Sequence, residues 1–386
     1  MHRLFTHCAA SLLLYVIVFG VILDRPLALG LPRTLIERAL ARGATLDSPK
    51  LIILAGSNGP YSHRCEVIEP IIAMPCVNAG VAVGIGLDYL FARWQPLLRP
   101  GDIVYLPLEE AQYTRIRAAI TTGPDAAIML RHDRATLAAL PPDRWFGALF
   151  AFDPRFVLMA VLETALASTG FHDPRAEAIG TTNAWGDHTG HTTALAAANA
   201  AGLSTATPHR ASATAITGGD GTRLVRDFLM WARTHDIQVI GGFSTGFADV
   251  PPPEAAATAI RAIYAPPSER STYRSGPHRH RPACPGHPYQ ESAARGGPET
   301  PGHDDEGQSQ SRARFLELPN RSLYPRSAFF DTPDHLHEAA QIIHSRQIAI
   351  ALRTMFPPID VPVSPSHDDE TGVNRLSNWR QSSPSR

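Results

Sequence analysis

Apolar and polar positions along this chain fall into short unbroken apolar runs set between longer stretches with a helical period. Residues 51–55 (LIILA) and 103–106 (IVYL) are uninterrupted apolar runs of strand length, the pattern of strands buried on both faces. Between them, residues 65–72 and 87–98 repeat their apolar positions at three- and four-residue intervals, which predicts helices, and Val77 marks a short strand. The alternation resumes later: a helix over 224–232, a strand over 237–240, and a helix over 253–264 opened by three prolines. A last strand over 315–318 and a closing helix over 334–355 follow, while 33–42 reads as an amphipathic helix leading into the domain. Strands alternating with helices predict an α/β fold with a parallel, doubly wound sheet. Residues 114–215 are less regular and rich in alanine and threonine, and are expected to form an insertion or lid.

Three segments fall outside that core. Residues 4–23 carry no formal charge and include LLLYVIVFGVIL at 12–23, preceded by Arg3. About 20 apolar residues are needed to cross a bilayer as a helix, and the positive flank stays cytoplasmic. Residues 1–30 are therefore expected to be an uncleaved signal anchor, single-pass in the inner membrane, with the remainder periplasmic. A cleaved signal peptide, followed by small residues at Ala28 and Gly30, is the alternative and would release the chain into the periplasm. Residues 265–313 contain no Val, Ile, Leu, Met, Phe or Trp. Such a stretch buries too little apolar surface to offset its ordering entropy, so a disordered insertion is expected. The polar tail at 357–386 is expected to be flexible. That leaves 45–264 and 314–356 as two parts of one α/β domain.

Composition narrows the function. The 386 residues are 44% hydrophobic, with 35 basic against 36 acidic side chains, so the electrostatic footprint of a nucleic-acid partner is missing. Lys50 is the sole lysine and the arginines are scattered. Of four cysteines, Cys8 lies in the anchor and Cys284 in the insertion. Cys65 and Cys76 stand eleven residues apart, either closing a small loop in an oxidising compartment or staying as two free buried thiols. The run HRHRPACPGH at 278–287 has no flanking element to fix ligand geometry, so no metal site is expected there.

Two stretches carry chemistry. In LIILAGSNG at 51–59 a strand ends at Ser57, the edge at which open α/β sheets bind ligands. Gly56 and Gly59 permit tight backbone around the hydroxyl. FFDTPDHLHEAA at 329–340 precedes the last helix and places Asp331 four residues before His335. A last loop at the same sheet edge would bring both to Ser57, with His335 as base and Asp331 holding its tautomer. Asp334 and His337 are local competitors, and Asp334 is the alternative cap of the closing helix.

These residues resemble the SGNH/GDSL hydrolase superfamily, in a bacterial exported, membrane-anchored branch. Ser57 in Gly-Ser-Asn matches block I. VNAGVAVGIGLDYL at 77–90 resembles block II, and FFDTPDHL block V. PGDIVYLPLEEAQY at 100–113 and NAWGDHTGH at 183–191 are similar to the branch pattern. The resemblance implies a flavodoxin-like three-layer fold, no cofactor, and an oxyanion hole from the Ser57 amide with Gly84 or Gly80, helped by Asn78. Asn58 is the alternative to Asn78 as a donor; Asn58, Glu109 and Glu110 are expected to contact substrate, and Asp187 and His188 either do so or belong to a capped turn. The implied activity is that of a serine esterase or O-acyltransferase on acyl groups of a cell-envelope polysaccharide or exopolysaccharide, such as acylated cellulose, or on a small acyl ester. Polysaccharide synthesis or export proteins would be its partners. Two departures stand out. The block III asparagine is replaced by Leu108-Glu109-Glu110, and an ionised carboxylate cannot donate a hydrogen bond. The Asp-to-His spacing is one residue longer than usual. The missing asparagine is what favours the rival expectation, a catalytically silent scaffold or polysaccharide-binding protein of the same fold.

Overall fold

The computed structural model describes residues 2–15, 17, 30–121, 133–150, 158, 162, 165–166, 168–170, 181–265 and 313–356. The second half of the expected anchor, much of the expected lid, the insertion beyond residue 265 and the tail from 357 lie outside the described residues.

Five strands form one parallel sheet: β1 (Leu51–Ile53), β2 (Cys76–Asn78), β3 (Ile103–Leu106), β4 (Gln238–Gly242) and β5 (Ala313–Leu316). Their order is β2-β1-β3-β4-β5, the flavodoxin-like order, in which the chain reverses direction across the sheet between β1 and β3. Leu51 pairs with both Cys76 and Ile103, which aligns the carboxyl ends of the first three strands. Because side chains alternate along a strand, β1 feeds two cores. Ile52 and Leu54 join Val77, Val104 and Val239 on one face, while Leu51 and Ile53 join Tyr105, Ile240 and Leu316 on the other.

Helices cover both faces. The first face is packed by α2 (Gly30–Thr45) through Ile36 and Ala39, and by α5 (Leu87–Trp94) through Leu90 and Phe91. On that same face lie α7 (Asp220–Thr234), which supplies Val225 and Phe228, and α8 (Glu254–Tyr264), which supplies Ile260 and Ile263. The second face is packed by α4 (Cys65–Ile72) and α9 (Glu338–Met355), through Ile68, Ile72, Ile348 and Leu352. Each such side chain, fully buried, contributes about 1.5–3 kcal/mol. Phe91 and Phe228 stack at 4.3 Å. Two short helices, α3 (Asn58–Ser62) and α6 (Glu110–Thr114), lie at the carboxyl edge. The N-terminal helix α1 (His2–Tyr15) has no buried residue and exposes Leu4, Phe5 and Leu12 to Leu14. Among the described residues no helix is long and apolar enough to cross a membrane.

Local physics explains where the elements depart from expectation. The helix expected over 87–98 ends at Trp94 and continues as a 3-10 turn, Gln95–Leu97, because Pro96 lacks the N–H that an α-helix needs. The closing helix starts at Glu338, not 334. His337 caps it, its Nδ1 accepting the Ala340 N–H, so Asp334 is not the cap. Residues 329–336 fold back on themselves instead, through Phe330 N–H to His335 O at 2.8 Å and His337 N–H to Ala328 O at 2.9 Å.

Cys65 and Cys76 form a disulfide with Cα atoms 5.3 Å apart, tying the start of α4 to the start of β2. Part of the expected lid is anchored beside the site. Arg144, fully buried, donates from Nη2 to Ile85 O at 2.6 Å and from Nη1 to Ile120 O, with Nε 3.2 Å from Asp88 Oδ2.

Candidate functional site

Ser57 follows β1 and occupies the position before α3 with helical backbone angles, φ −62° and ψ −21°. Serine hydroxyls at this position commonly accept a helix N–H. Ser57 Oγ makes no such bond and has no hydrogen-bond partner among the described residues. The hydroxyl is half-buried and uncommitted. Glycine is required around it. A Cβ on Gly80 would lie 2.7 Å from both Gly56 O and Gly59 Cα, so the segment after β2 presses its backbone against the Ser57 loop. Gly80 N–H is already bonded to Asn78 Oδ1 at 3.3 Å. Gly84 sits in the 3-10 turn Val83–Ile85, where Ile85 N–H bonds back to Ala82 O. The Gly84 N–H, one residue earlier, therefore has no acceptor within the turn. Of the two glycines, Gly84 is the one whose N–H has no acceptor among the described residues.

Across the loop, His335 Nδ1 lies 2.7 Å from Asp331 Oδ1. That contact places the proton on Nδ1 and leaves Nε2 as a base. The imidazole is buried and stacks on Tyr61, ring centroids 4.1 Å apart and 9° from parallel. Tyr61 N–H bonds to Ser57 O at 3.3 Å, so one turn of helix links the serine to the ring that supports the histidine. The next residue fixes the loop itself. Ser62 Oγ and Thr245 Oγ1 each lie 2.8 Å from Asp334 O, and Leu336 N–H bonds to Ser62 Oγ at 3.3 Å. No hydrogen bond joins Ser57 Oγ to His335. Such bonds are often long in unliganded sites and tighten with substrate.

The two glutamates separate. Glu110 pairs with Arg210 Nη1 at 2.8 Å and accepts the Ala211 N–H at 2.8 Å, so it anchors a neighbouring segment and is not free to meet substrate. Glu109 is buried beside the Ser57 loop, with Asn58 N–H 3.4 Å from its Oε1. Burial first, and then the charge of Asp334, pushes the Glu109 carboxyl up to about 8. Burial likewise raises Asp334 to about 6.

Several expected contacts prove structural. Asn78 is not an oxyanion donor, since its amide N–H groups go to Gly59 O, His63 O and Asp187 Oδ1. Asp187, fully buried, accepts from Cys65 N–H, Glu66 N–H and Asn183 Nδ2 and thereby caps α4. Asn58 donates to Pro107 O at 2.7 Å, joining the loops after β1 and β3. His188 is fully buried with its ring 4.2 Å from Tyr61, so it underlies the site without lining it. Among the described residues no group of His, Cys, Asp and Glu could hold a metal ion.

Beneath the site runs a buried chain. His63 Nδ1 donates to Asn58 O at 3.3 Å, and its Nε2 lies 3.4 Å from His344 Nε2. His344 Nδ1 in turn lies 2.9 Å from the Tyr324 hydroxyl, which donates to Gln347 Oε1 at 2.7 Å. Both imidazoles are fully buried and held neutral: burial lowers His63 to about 4 and His344 well below its ordinary value. Their folded values lie below the unfolded one, so the unfolded chain takes the proton first. The stability they contribute is intact above about pH 6.5 and is lost as pH falls toward 4. Urea unfolding at pH 7 and pH 5 is expected to show a loss of up to about 1.4 kcal/mol per pH unit for each histidine. The loss should shrink in His344→Phe; an unchanged slope in that variant would remove the histidine pair as the cause.

Tyr61, Ser62, His63 and Thr245 were not among the expected site residues. The spacing Ser57 to Tyr61 is one helical turn, which puts both on one face; nothing in the pattern points to Thr245, whose role arises from a contact 89 residues away. Comparison with protein-family models, with curated proteins and with solved structures returned no match to this chain.

Proposed function

We propose that the protein is an SGNH-type serine O-acyl hydrolase or O-acyltransferase. The observation that carries the reading is the Asp331–His335 pair, 2.7 Å apart, whose buried imidazole stacks on the helix that begins at an uncommitted serine. In this reading His335 Nε2 takes the Ser57 proton as Oγ attacks an ester carbonyl. The oxygen of the tetrahedral intermediate accepts from the Ser57 and Gly84 N–H groups. Collapse expels the alcohol, which recovers the proton from His335, and the acyl group on Ser57 passes to water or to a sugar hydroxyl. Arg144 acts as a positioning residue for the Gly84 turn through Ile85 O.

The proposed substrates are acyl groups on an envelope polysaccharide or exopolysaccharide, cellulose among them, and the proposed location is the periplasmic face of the inner membrane beside polysaccharide synthesis or export proteins. The Cys65–Cys76 disulfide supports an oxidising compartment. The exposed apolar side chains of α1 support an anchoring role for the N-terminus. The deciding measurement is p-nitrophenyl acetate turnover by wild type and Ser57→Ala: equal rates refute the nucleophile and leave the silent scaffold. Adding a hexasaccharide acceptor then separates the two enzymes, since a transferase forms acylated sugar at the expense of free acid.

A further inference from the structure

The acyl-serine reading leaves the third oxyanion donor unassigned, because a glutamate stands where an asparagine is expected. The position of that glutamate is informative. A Cβ on Gly56 would come within 2.4 Å of Glu109 Oε1, and the Asn58 N–H lies 3.4 Å from the same oxygen. These are the residues immediately before and after Ser57, so the carboxyl lies against the backbone that carries the nucleophile. The Gly56 Cβ would also meet Val83 Cγ2 at 2.7 Å, which brings the turn bearing the Gly84 N–H to the same loop. A negative carboxylate here would oppose the developing oxyanion, whereas a neutral acid has an O–H to donate.

We infer that Glu109 is held as the neutral acid and donates its O–H to the oxygen of the tetrahedral intermediate, completing the hole with the Ser57 and Gly84 amides. This assignment rests on the acyl-serine reading. The surroundings favour the neutral form. No cation pairs with Glu109 among the described residues, in contrast to Glu110 with its Arg210. Asp334, from the loop before α9, adds like charge, which disfavours a second ionised carboxyl. Opposing it are Arg115 at the end of α6 and the Asn58 N–H, both of which favour the carboxylate. Glu109 and Gln112 form a capping box: Gln112 Oε1 accepts the Glu109 N–H, and the Glu109 side chain accepts the Gln112 N–H, which also favours the carboxylate. Burial and Asp334 outweigh Arg115 and the two amides, so Glu109 keeps its proton at neutral pH and gives it up near pH 8.

The test is the pH dependence of kcat for p-nitrophenyl acetate in wild type, Glu109→Gln and Glu109→Ala, with Ser57→Ala as control. Wild-type kcat is expected to fall on the alkaline side as the carboxyl ionises. Glu109→Gln, which keeps a neutral N–H donor of the same shape, should stay within about tenfold at pH 7 and lose the alkaline limb. Glu109→Ala should lower kcat by about 10²–10³ with little change in KM. A second readout is independent of turnover: the infrared carbonyl band of a protonated carboxylic acid should be present at pH 7, absent in Glu109→Gln, and should titrate with the alkaline limb of kcat. Turnover that is equal in wild type and Ser57→Ala overturns the acyl-serine reading and this assignment with it. Turnover that depends on Ser57, but whose alkaline limb survives in Glu109→Gln or whose wild type lacks the carbonyl band at pH 7, overturns the donor assignment alone.

Discussion

Ser57→Ala is expected to lower p-nitrophenyl acetate turnover by roughly 10⁴-fold or more, the scale on which removing the nucleophile of a serine hydrolase acts. The same substitution should leave stability within about 0.5 kcal/mol. Both halves follow from one observation, that the Ser57 hydroxyl is half-buried and bonded to nothing in the described structure. A structural serine at a helix start would be capping it, and its loss would cost about 1 kcal/mol. A variant that melts early and keeps its turnover would reverse the assignment, making Ser57 a cap and the protein a scaffold.

Asp102→Ala is expected to have the largest effect on stability, about 3–5 kcal/mol. Lys50, just before β1, and Asp102, just before β3, are both fully buried, with Nζ 2.8 Å from Oδ2. Asp102 also accepts the Lys50 N–H at 3.1 Å and the Arg99 N–H at 2.9 Å. Removing it strands an ammonium in the protein interior and leaves two amide donors without acceptors. That is a large share of the 5–15 kcal/mol typical of a whole domain. The pair Lys50→Met with Asp102→Asn should recover at least half of the loss, because Asn keeps an acceptor and the stranded charge is gone. Urea midpoints decide it, and an Asp102→Ala shift below about 1 kcal/mol would show that water reaches the ammonium. Since the pair lies at the amino ends of the strands, opposite Ser57, kcat of the folded fraction should not change.

The sheet was largely legible from periodicity. Residues 103–106 and 65–72 form the elements their pattern predicts, the first because an unbroken apolar run suits a strand covered on both faces and the second because its apolar positions fall on one helical face. Ser57, Asp331 and His335 were legible for a different reason: each lies next to a sharp local signal, a glycine-flanked strand end or the turn into the last helix. The short-range spacing also predicted the Asp331–His335 contact, since four residues within one turn bring their side chains together.

What the sequence could not rank was residues of like chemistry. Glu109 and Glu110 are adjacent and identical, yet one pairs with Arg210, 100 residues away, and the other does not. Asn78 and Asp187 carry chemistry suited to a site, and tertiary bonds across 109 residues consume both. Gly80 and Gly84 differ only in whether a neighbouring side chain has claimed the amide.

The division has a physical basis. Periodicity and backbone chemistry act within a few residues, so the amino-acid sequence alone determined an α/β sheet, the place of Ser57 at its carboxyl edge and the pairing of Asp331 with His335. Desolvation and hydrogen-bond partners depend on what the rest of the chain brings close. Only the tertiary structure decided which amide stays free, which histidines are neutral and which of two glutamates is claimed by an arginine.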